Sequence, residues 1–225
     1  MPRAGLDPAA VVAAGAALAD EVGPARLTMG LLAERVGVRT PSLYKHVHGL
    51  DDLNRRIAVL ALNEAADAVG GAIQGYAGRD ALAAAARAFR AFVVAHPGRY
   101  AATIGVEPSG PDDPLAAASK RLLSAFTAVL RGYEVPESDV DHALRTLRSL
   151  CHGFATLQSA NGFQWSADID DSFEWLIAFA DRGLCAMCDR REGPVAGTSR
   201  SAAGSGAGRY LPRSAESDGG RCARS

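Results

Sequence analysis

Between Arg26 and Gly49 the chain places Arg26, Arg35, Arg39 and Lys45 beside the titratable His46 and His48, with Glu34 as the only acid. Hydroxyl donors are interleaved with them at Thr28, Thr40, Ser42 and Tyr44. Cations and neutral donors crowded onto one short stretch are what contact with a phosphate backbone requires, because each can donate to a phosphate oxygen and few nearby groups compete. The net charge of the whole chain is only −1, so this patch is a local feature within a neutral molecule.

Catalytic chemistry is poorly served. Ser42-Leu43-Tyr44-Lys45 has the S-x-x-K spacing of serine acyl-enzymes, but the accompanying SDN and KTG segments are missing. Cys185-Ala186-Met187-Cys188 is a C-x-x-C at a helix end, with no following strand pattern and no second pair at zinc spacing. A redox-sensing pair is the alternative reading of these two thiols. The five histidines form no HExxH, and GxSxG, P-loop and dinucleotide fingerprints are all missing. No enzyme activity, cofactor or metal is expected.

The elements that must position the cations are two short helices joined by a glycine turn, from Arg26 to Leu53. Thr28 is placed to cap the first, with Leu31, Leu32 and Val36 inward and Ala33 small enough for a close neighbour. Gly37 ends it, since a residue just past a helix terminus often takes positive φ, and Val38 can pack back across the corner. The second helix is expected from Thr40, offering its oxygen to an orphan amide, or from Pro41, which loses no hydrogen bond at a first helical position. Leu43 and Val47 share one face and anchor it. Arg39, Thr40, Pro41, Ser42, Tyr44, Lys45, His46 and His48 are left outward. With Thr28 they form the expected DNA-binding set: Lys45 and Tyr44 toward phosphates, Arg39, Thr40, Ser42 and His46 toward base edges or the adjacent backbone.

From about Asp7 to Leu62 the chain resembles the DNA-binding head of the TetR/AcrR family of transcriptional regulators, through LTMGLLAERVGVRTPSLYKHV. The resemblance makes DPAAVVAAGAALADEVG the first helix of the head, with Asp7 as cap and Pro8 at the first position. The family usually has an aromatic where Val47 stands and a phosphate-contacting lysine where Leu50 stands. That lysine's role falls here to Lys45, His48 or the amide end of the following helix.

The 225 residues, 48% of them hydrophobic, suffice for a small head and a larger body. Long alanine-rich periodic segments without strand alternation make the expected fold all-α, with about nine helices. Residues 1–50 read as the helix-turn-helix domain and 51–190 as a helical ligand-binding and dimerisation domain. Helices are expected over Asp51–Gly70, Arg79–His96, Arg99–Ile104, Asp113–Leu130 and Pro136 toward Asn161-Gly162, with a last one capped by Asp170 or Asp171. No apolar run reaches the ~18–20 residues of a membrane span, and the N-terminus lacks a secretory layout, so a cytoplasmic location without membrane contact is expected. The Gly/Ser/Ala/Arg-rich stretch 191–225 reads as a disordered tail.

A second resemblance lies in TLRSLCHGFATLQSANGF followed by DIDDSFEWLIAFADRGL, which is similar to the WHG ligand-binding domain of one branch of the same family. Cys151 stands where the tryptophan of that name would be, and His152 and Gly153 keep the signature. The resemblance implies a homodimer formed by the last two long helices, with Leu147, Gly153, Phe154, Leu157, Phe173, Leu176 and Phe179 as its interface. Gly153 suits that place because a missing side chain lets helices approach closely. Two heads about 34 Å apart would meet successive major grooves, hence a palindromic double-stranded operator. The resemblance also implies a pocket for a small-molecule effector, with candidate lining Phe89, Phe92, Tyr100, Ile104, Phe126, Leu150, His152 and Gln158, apolar enough for a hydrophobic effector. Release of a repressor is the implied action. The competing reading is an all-helical small-molecule binding or enzymatic protein that never touches DNA.

Overall fold

In a computed structural model, which describes residues 6–189, the chain forms nine α-helices and one 3₁₀ turn, without strands among the described residues. They are α1 (Pro8–Val22), the 3₁₀ turn Pro24–Arg26, α2 (Met29–Arg35), α3 (Thr40–Leu43) and α4 (Leu50–Ala72), then α5 (Gly78–Ala95), α6 (Pro97–Ala101), α7 (Pro114–Arg131), α8 (Glu137–Ser159) and α9 (Ile169–Asp189). The stretch 191–225, read from composition as a tail, lies outside the described residues. No helix among them is long and apolar enough to cross a membrane.

Helix starts follow local chemistry. The Asp7 carboxylate accepts from the Ala10 amide at 2.6 Å with Pro8 at the first position of α1, and Asp113 does the same for Leu115 at 2.9 Å with Pro114 behind it. α9 departs from expectation: its first-turn amides at Asp170 and Asp171 both donate to Asp168, at 2.7 and 2.9 Å. Neither Asp170 nor Asp171 is the cap. Asp168 serves because its carboxylate precedes the first turn, whereas the later acids already lie inside it and act only through favourable charge at the positive end of the helix dipole.

Two apolar clusters form. In the first, α1, α2, α3 and the first half of α4 bury Val11, Leu32, Leu43, Val47, Leu53 and Ile57, all at 0% exposure. In the second, the rest of α4 joins α5 and α7–α9 around Leu82, Phe89, Val93, Leu130, Leu147 and Phe173. α4 belongs to both, supplying Leu53 and Ile57 to one and Ala61, Ala65 and Val69 to the other. Small residues on its second half let α5 and α7 come close.

A short clasp joins the clusters a second time. In α6, a Cβ added to Gly98 would lie 2.0 Å from the Ala19 carbonyl oxygen of α1, so only glycine allows this approach. Next to it, the Arg99 side chain donates to Asp20 of α1 at 2.7 Å and to Glu64 of α4 at 2.8 Å.

Candidate nucleic-acid interface and effector cavity

The geometry of the head follows from its caps. Thr28 Oγ1 accepts from the Leu31 amide at 3.2 Å, leaving its own proton free to donate outward. Gly37 sits at φ +70°, and the Val38 amide returns to the Ala33 carbonyl at 3.0 Å, closing α2 as its sequence implied. Leu31 is 40% exposed and does not face inward; Met29, at 9%, takes the inward place because residues 29, 32, 33 and 36 share one face at helical spacing and Leu31 lies off it. α3 is shorter than expected. Its N-cap is Arg39 with no side-chain cap bond, so Thr40 is inside the helix and does not cap it. Regular α-helix stops at Leu43, and Tyr44–His46 form turns. The anchor pair survives because the Val47 amide donates to the Leu43 carbonyl at 3.0 Å and both side chains are 0% exposed.

Around that anchor the surface is cationic. Arg39, Pro41, Tyr44, Lys45 and His48 are exposed, and Thr40, Ser42 and His46 half-buried. Arg35 is committed to Glu21, Arg56 to Asp52 at 2.9 Å, and the Arg26 Nε to the Val22 carbonyl at 2.6 Å. Arg39 and Lys45 have no ion pair or hydrogen bond among the described residues. A guanidinium and an ammonium without partners among the described residues, at the two ends of α3, lose nothing internal when they meet phosphate. Leu50 is half-buried against the head core, which accounts for an apolar residue at the start of α4. There the His48 amide donates to Asp52 at 2.8 Å, and Asp52's carboxyl is held below its ordinary value: burial works against that, but hydrogen bonds from Arg56 and the His48 amide outweigh it.

The body holds a cavity of about 300 Å³ between α4, α5, α7 and α8, walled in part by Phe89, Tyr100 and Phe126. Tyr100 and Phe126 each meet Phe89 edge-on, with centroids 5.5 and 5.9 Å away. Of the other residues expected there, Ile104 borders a separate open cleft with Tyr100. Phe92 packs on His96 at 5.2 Å, and Leu150 is half-buried against the main core. Gln158 faces away, accepting from Arg90 at 2.7 Å. His152 stands behind the wall, its Nδ1 and the Tyr100 hydroxyl sharing a hydrogen bond at 2.9 Å. Its pKa is lowered by burial and by Arg148, which favours the neutral imidazole. Phe92, Ile104, Leu150, His152 and Gln158, expected in the lining, therefore lie outside this cavity. Missed were Thr103, Ser119, Leu122 and Arg148, which line it from α7, α8 and the loop after α6. Helical periodicity marks which face of a helix is apolar but not which other helix that face meets.

The expected dimer face divides in the same way. Leu147 is 3% exposed and Phe173 0%, both inside the protomer's own core, and both are corrected out of any interface. Arg90 lies over the Phe173 ring at 4.7 Å and holds it there. Phe154 and Leu176 are half-buried, while Leu157 and Phe179 stand 50% and 53% exposed. Gly153 has open space where a Cβ would project. Trp175, unforeseen, is 65% exposed and stacks on Phe179 at 5.7 Å and 13°. Its signal was the i, i+4 spacing to Phe179, an apolar stripe wider than one buried face of α9 needs. Cys151 is buried, its thiol pushed up to about 12, and Cys185 is exposed. The side chain of Cys188, the other half of the C-x-x-C, lies outside the described residues.

A capped helix, glycine turn and cationic short helix mounted on a helical body define a helix-turn-helix regulator of transcription. Residues 82–180 match the family profile described as the tetracyclin repressor-like C-terminal domain. The chain is 32% identical over 186 residues to YobS of Bacillus subtilis (strain 168), an uncharacterized HTH-type transcriptional regulator, covering 81% of this chain and 95% of the relative. Among solved structures it is similar to a possible TetR family transcriptional regulator from Streptomyces coelicolor A3(2), at TM-score 0.65 and 24% identity, covering 80% of this chain and all of that one. It is also similar to BioQ bound to its double-stranded DNA operator, at TM-score 0.61 and 24% identity, covering 81% and 99%. The chain belongs to the TetR family of transcriptional regulators. It is a DNA-binding regulator and not an enzyme.

Proposed function

We propose that the protein is a homodimeric repressor that holds a palindromic operator and is released by a small, largely apolar effector. The observation that carries the proposal is the pair of exposed cations at the two ends of α3, Arg39 and Lys45, which have no partner among the described residues, on an element anchored by Leu43 and Val47. Thr28, Arg39, Thr40, Pro41, Ser42, Tyr44, Lys45, His46 and His48 form the DNA-facing surface. BioQ, a structural neighbour, was solved on its operator, which supports the same use of this fold here. Dimerisation is supported by the exposed apolar face of α8 and α9 at Leu157, Trp175 and Phe179, since a lone head spans too few base pairs for useful specificity.

Effector control would run through two ties between body and head. Tyr100 walls the cavity, and its neighbour Arg99 grips α1 and α4. Val106 and Pro108 also wall it, and the loop they belong to is held by Arg55 of α4, which donates to the Glu107 carbonyl and the Ser109 hydroxyl, each at 3.1 Å. α4 begins directly after the DNA-facing turn, so an occupant that prefers one loop position also prefers one head position. A preference worth about 2–3 kcal/mol weakens operator binding roughly 30- to 150-fold. Retention of genomic fragments by the purified protein, followed by sequencing, tests the proposal. Inverted half-sites one helical turn apart, or a multiple of it, are the expected result. Fragments bound without sequence preference would overturn it.

A further inference from the structure

The effector cavity carries one charge. Its walls are otherwise apolar or neutral, with Leu115, Leu122 and Phe126 of α7 facing Phe89 of α5 and Leu144 of α8. Arg148 of α8 lines the same space and makes no hydrogen bond or ion pair among the described residues. No acidic side chain lines the cavity with it. Arg148 is exposed to solvent as well as lining the cavity, so its guanidinium, with five donors and a charge at any physiological pH, is free to meet a ligand that enters.

The neutral polar groups narrow the choice of ligand. The Tyr100 hydroxyl is engaged with His152 Nδ1, and the Thr103 hydroxyl donates to the Tyr100 carbonyl at 2.7 Å. Burial raises the Tyr100 phenol to about 12, so it supplies no negative charge at neutral pH. Ser119 of α7, across the cavity, makes no hydrogen bond among the described residues. The uncommitted polar atoms are thus one guanidinium fork and one hydroxyl, a set that calls for an acceptor bearing charge.

We infer that the effector, on the reading of this cavity proposed above, is a small apolar monocarboxylic acid whose carboxylate is held by Arg148 and whose body lies against Phe89, Leu115, Leu122 and Phe126. A carboxylate matches the fork with two parallel hydrogen bonds. A phosphate carries up to two charges against a single arginine and would leave one uncompensated beside apolar walls. The volume of about 300 Å³ is at the small end for ligand sites. A space of that size suits a medium-chain or phenylalkyl acid better than a nucleotide-linked thioester.

The test is calorimetric titration of the full chain with two matched pairs, octanoate against 1-octanol and 4-phenylbutyrate against 4-phenylbutanol. At least one acid should bind wild type tenfold or more tightly than its alcohol. Arg148→Gln should bring that acid down to the alcohol's affinity without moving the alcohol, and Arg148→Lys should restore part of the difference. Leu122→Trp, which fills the cavity, should abolish binding of both. Arg148 is exposed and has no partner among the described residues, so an unchanged melting temperature verifies that the glutamine variant is folded. Acid affinity unchanged in Arg148→Gln, or acid and alcohol binding equally, would overturn the inference while leaving the cavity a ligand site. If neither acid nor alcohol binds wild type, the assignment of the cavity as an effector site falls with it.

Discussion

Arg55 of α4 forms an ion pair with Asp113, the carboxylate that also caps α7, so one acid ties the start of a body helix to the helix leaving the head. The Asp113 side chain is only 8% exposed and further accepts from the Ser109 amide at 2.7 Å. Those backbone amides, Ser109 first and then Leu115, together with Arg55, lower its pKa to about 2.

The consequence for stability has a definite sign. A carboxyl more acidic in the folded chain than its unfolded value near 3.9 stabilises the fold above that value, and the contribution is lost as pH falls toward 2. The melting temperature of Asp113→Asn should therefore lie below wild type at pH 6, and the gap should narrow as pH is lowered from 4 to as near 2 as the fold allows. A gap that stays constant with pH would show that the carboxylate's charge is not what stabilises the loop.

The clasp at α6 predicts a larger effect. Gly98→Ala places a methyl 2.0 Å from the Ala19 carbonyl oxygen, where backbone must move, and should cost about 3 kcal/mol or more in urea unfolding. Arg99→Lys should also destabilise, by about 1–2 kcal/mol, because one ammonium cannot reproduce the fork that spans Asp20 and Glu64. A wild-type unfolding midpoint for Gly98→Ala would mean that α6 does not hold α1.

What the sequence made readable was set locally, and what it hid was set by partners far along the chain. Thr28, Gly37, Asp7-Pro8 and Asp113-Pro114 mark helix ends through bonds to residues two to five positions away, and their roles are as their chemistry implies. The cavity was different. Phe89 and Phe126 are found there because they are large and on apolar faces, yet Arg148 and Ser119 carry no local sign of facing inward. Leu147 and Phe173 were assigned to a second subunit because α8 and α9 are apolar on more than one side. Periodicity cannot say which side the protomer's own core takes first.

That remaining side leads to the oligomer. Phe179→Glu puts a charge into the exposed stack with Trp175, on a surface that nothing among the described residues covers. If the proposed dimer forms through this face, sedimentation should show the variant shifted toward monomer relative to wild type, with operator affinity reduced at least tenfold. A variant that sediments as wild type would move the interface elsewhere.

The thiols should divide by access. Cys151, buried with its thiol pushed up to about 12, has almost no thiolate at pH 8 and should resist iodoacetamide in the folded protein, whereas Cys185 should be alkylated. Peptide mass mapping before and after denaturation measures both. Native labelling of Cys151 would imply that the α8 core opens readily.

Lys45 separates electrostatic docking from base reading. Its ammonium is exposed and has no partner among the described residues, two residues beyond the buried Leu43 that fixes the turn, so its removal leaves the anchor intact. A phosphate contact releases about one counterion, whatever the sequence beneath it. Lys45→Ala should therefore weaken specific and nonspecific DNA alike, and lower the slope of log affinity against log salt by about one unit per head. Arg39→Ala, if that guanidinium meets a base edge, should instead reduce the ratio of specific to nonspecific affinity by about 1–3 kcal/mol per contact. An unchanged slope for Lys45→Ala removes it from the backbone contacts. If Arg39→Ala shifts both affinities equally, Arg39 is a phosphate contact, and reading of the bases falls to Thr40, Ser42 and His46.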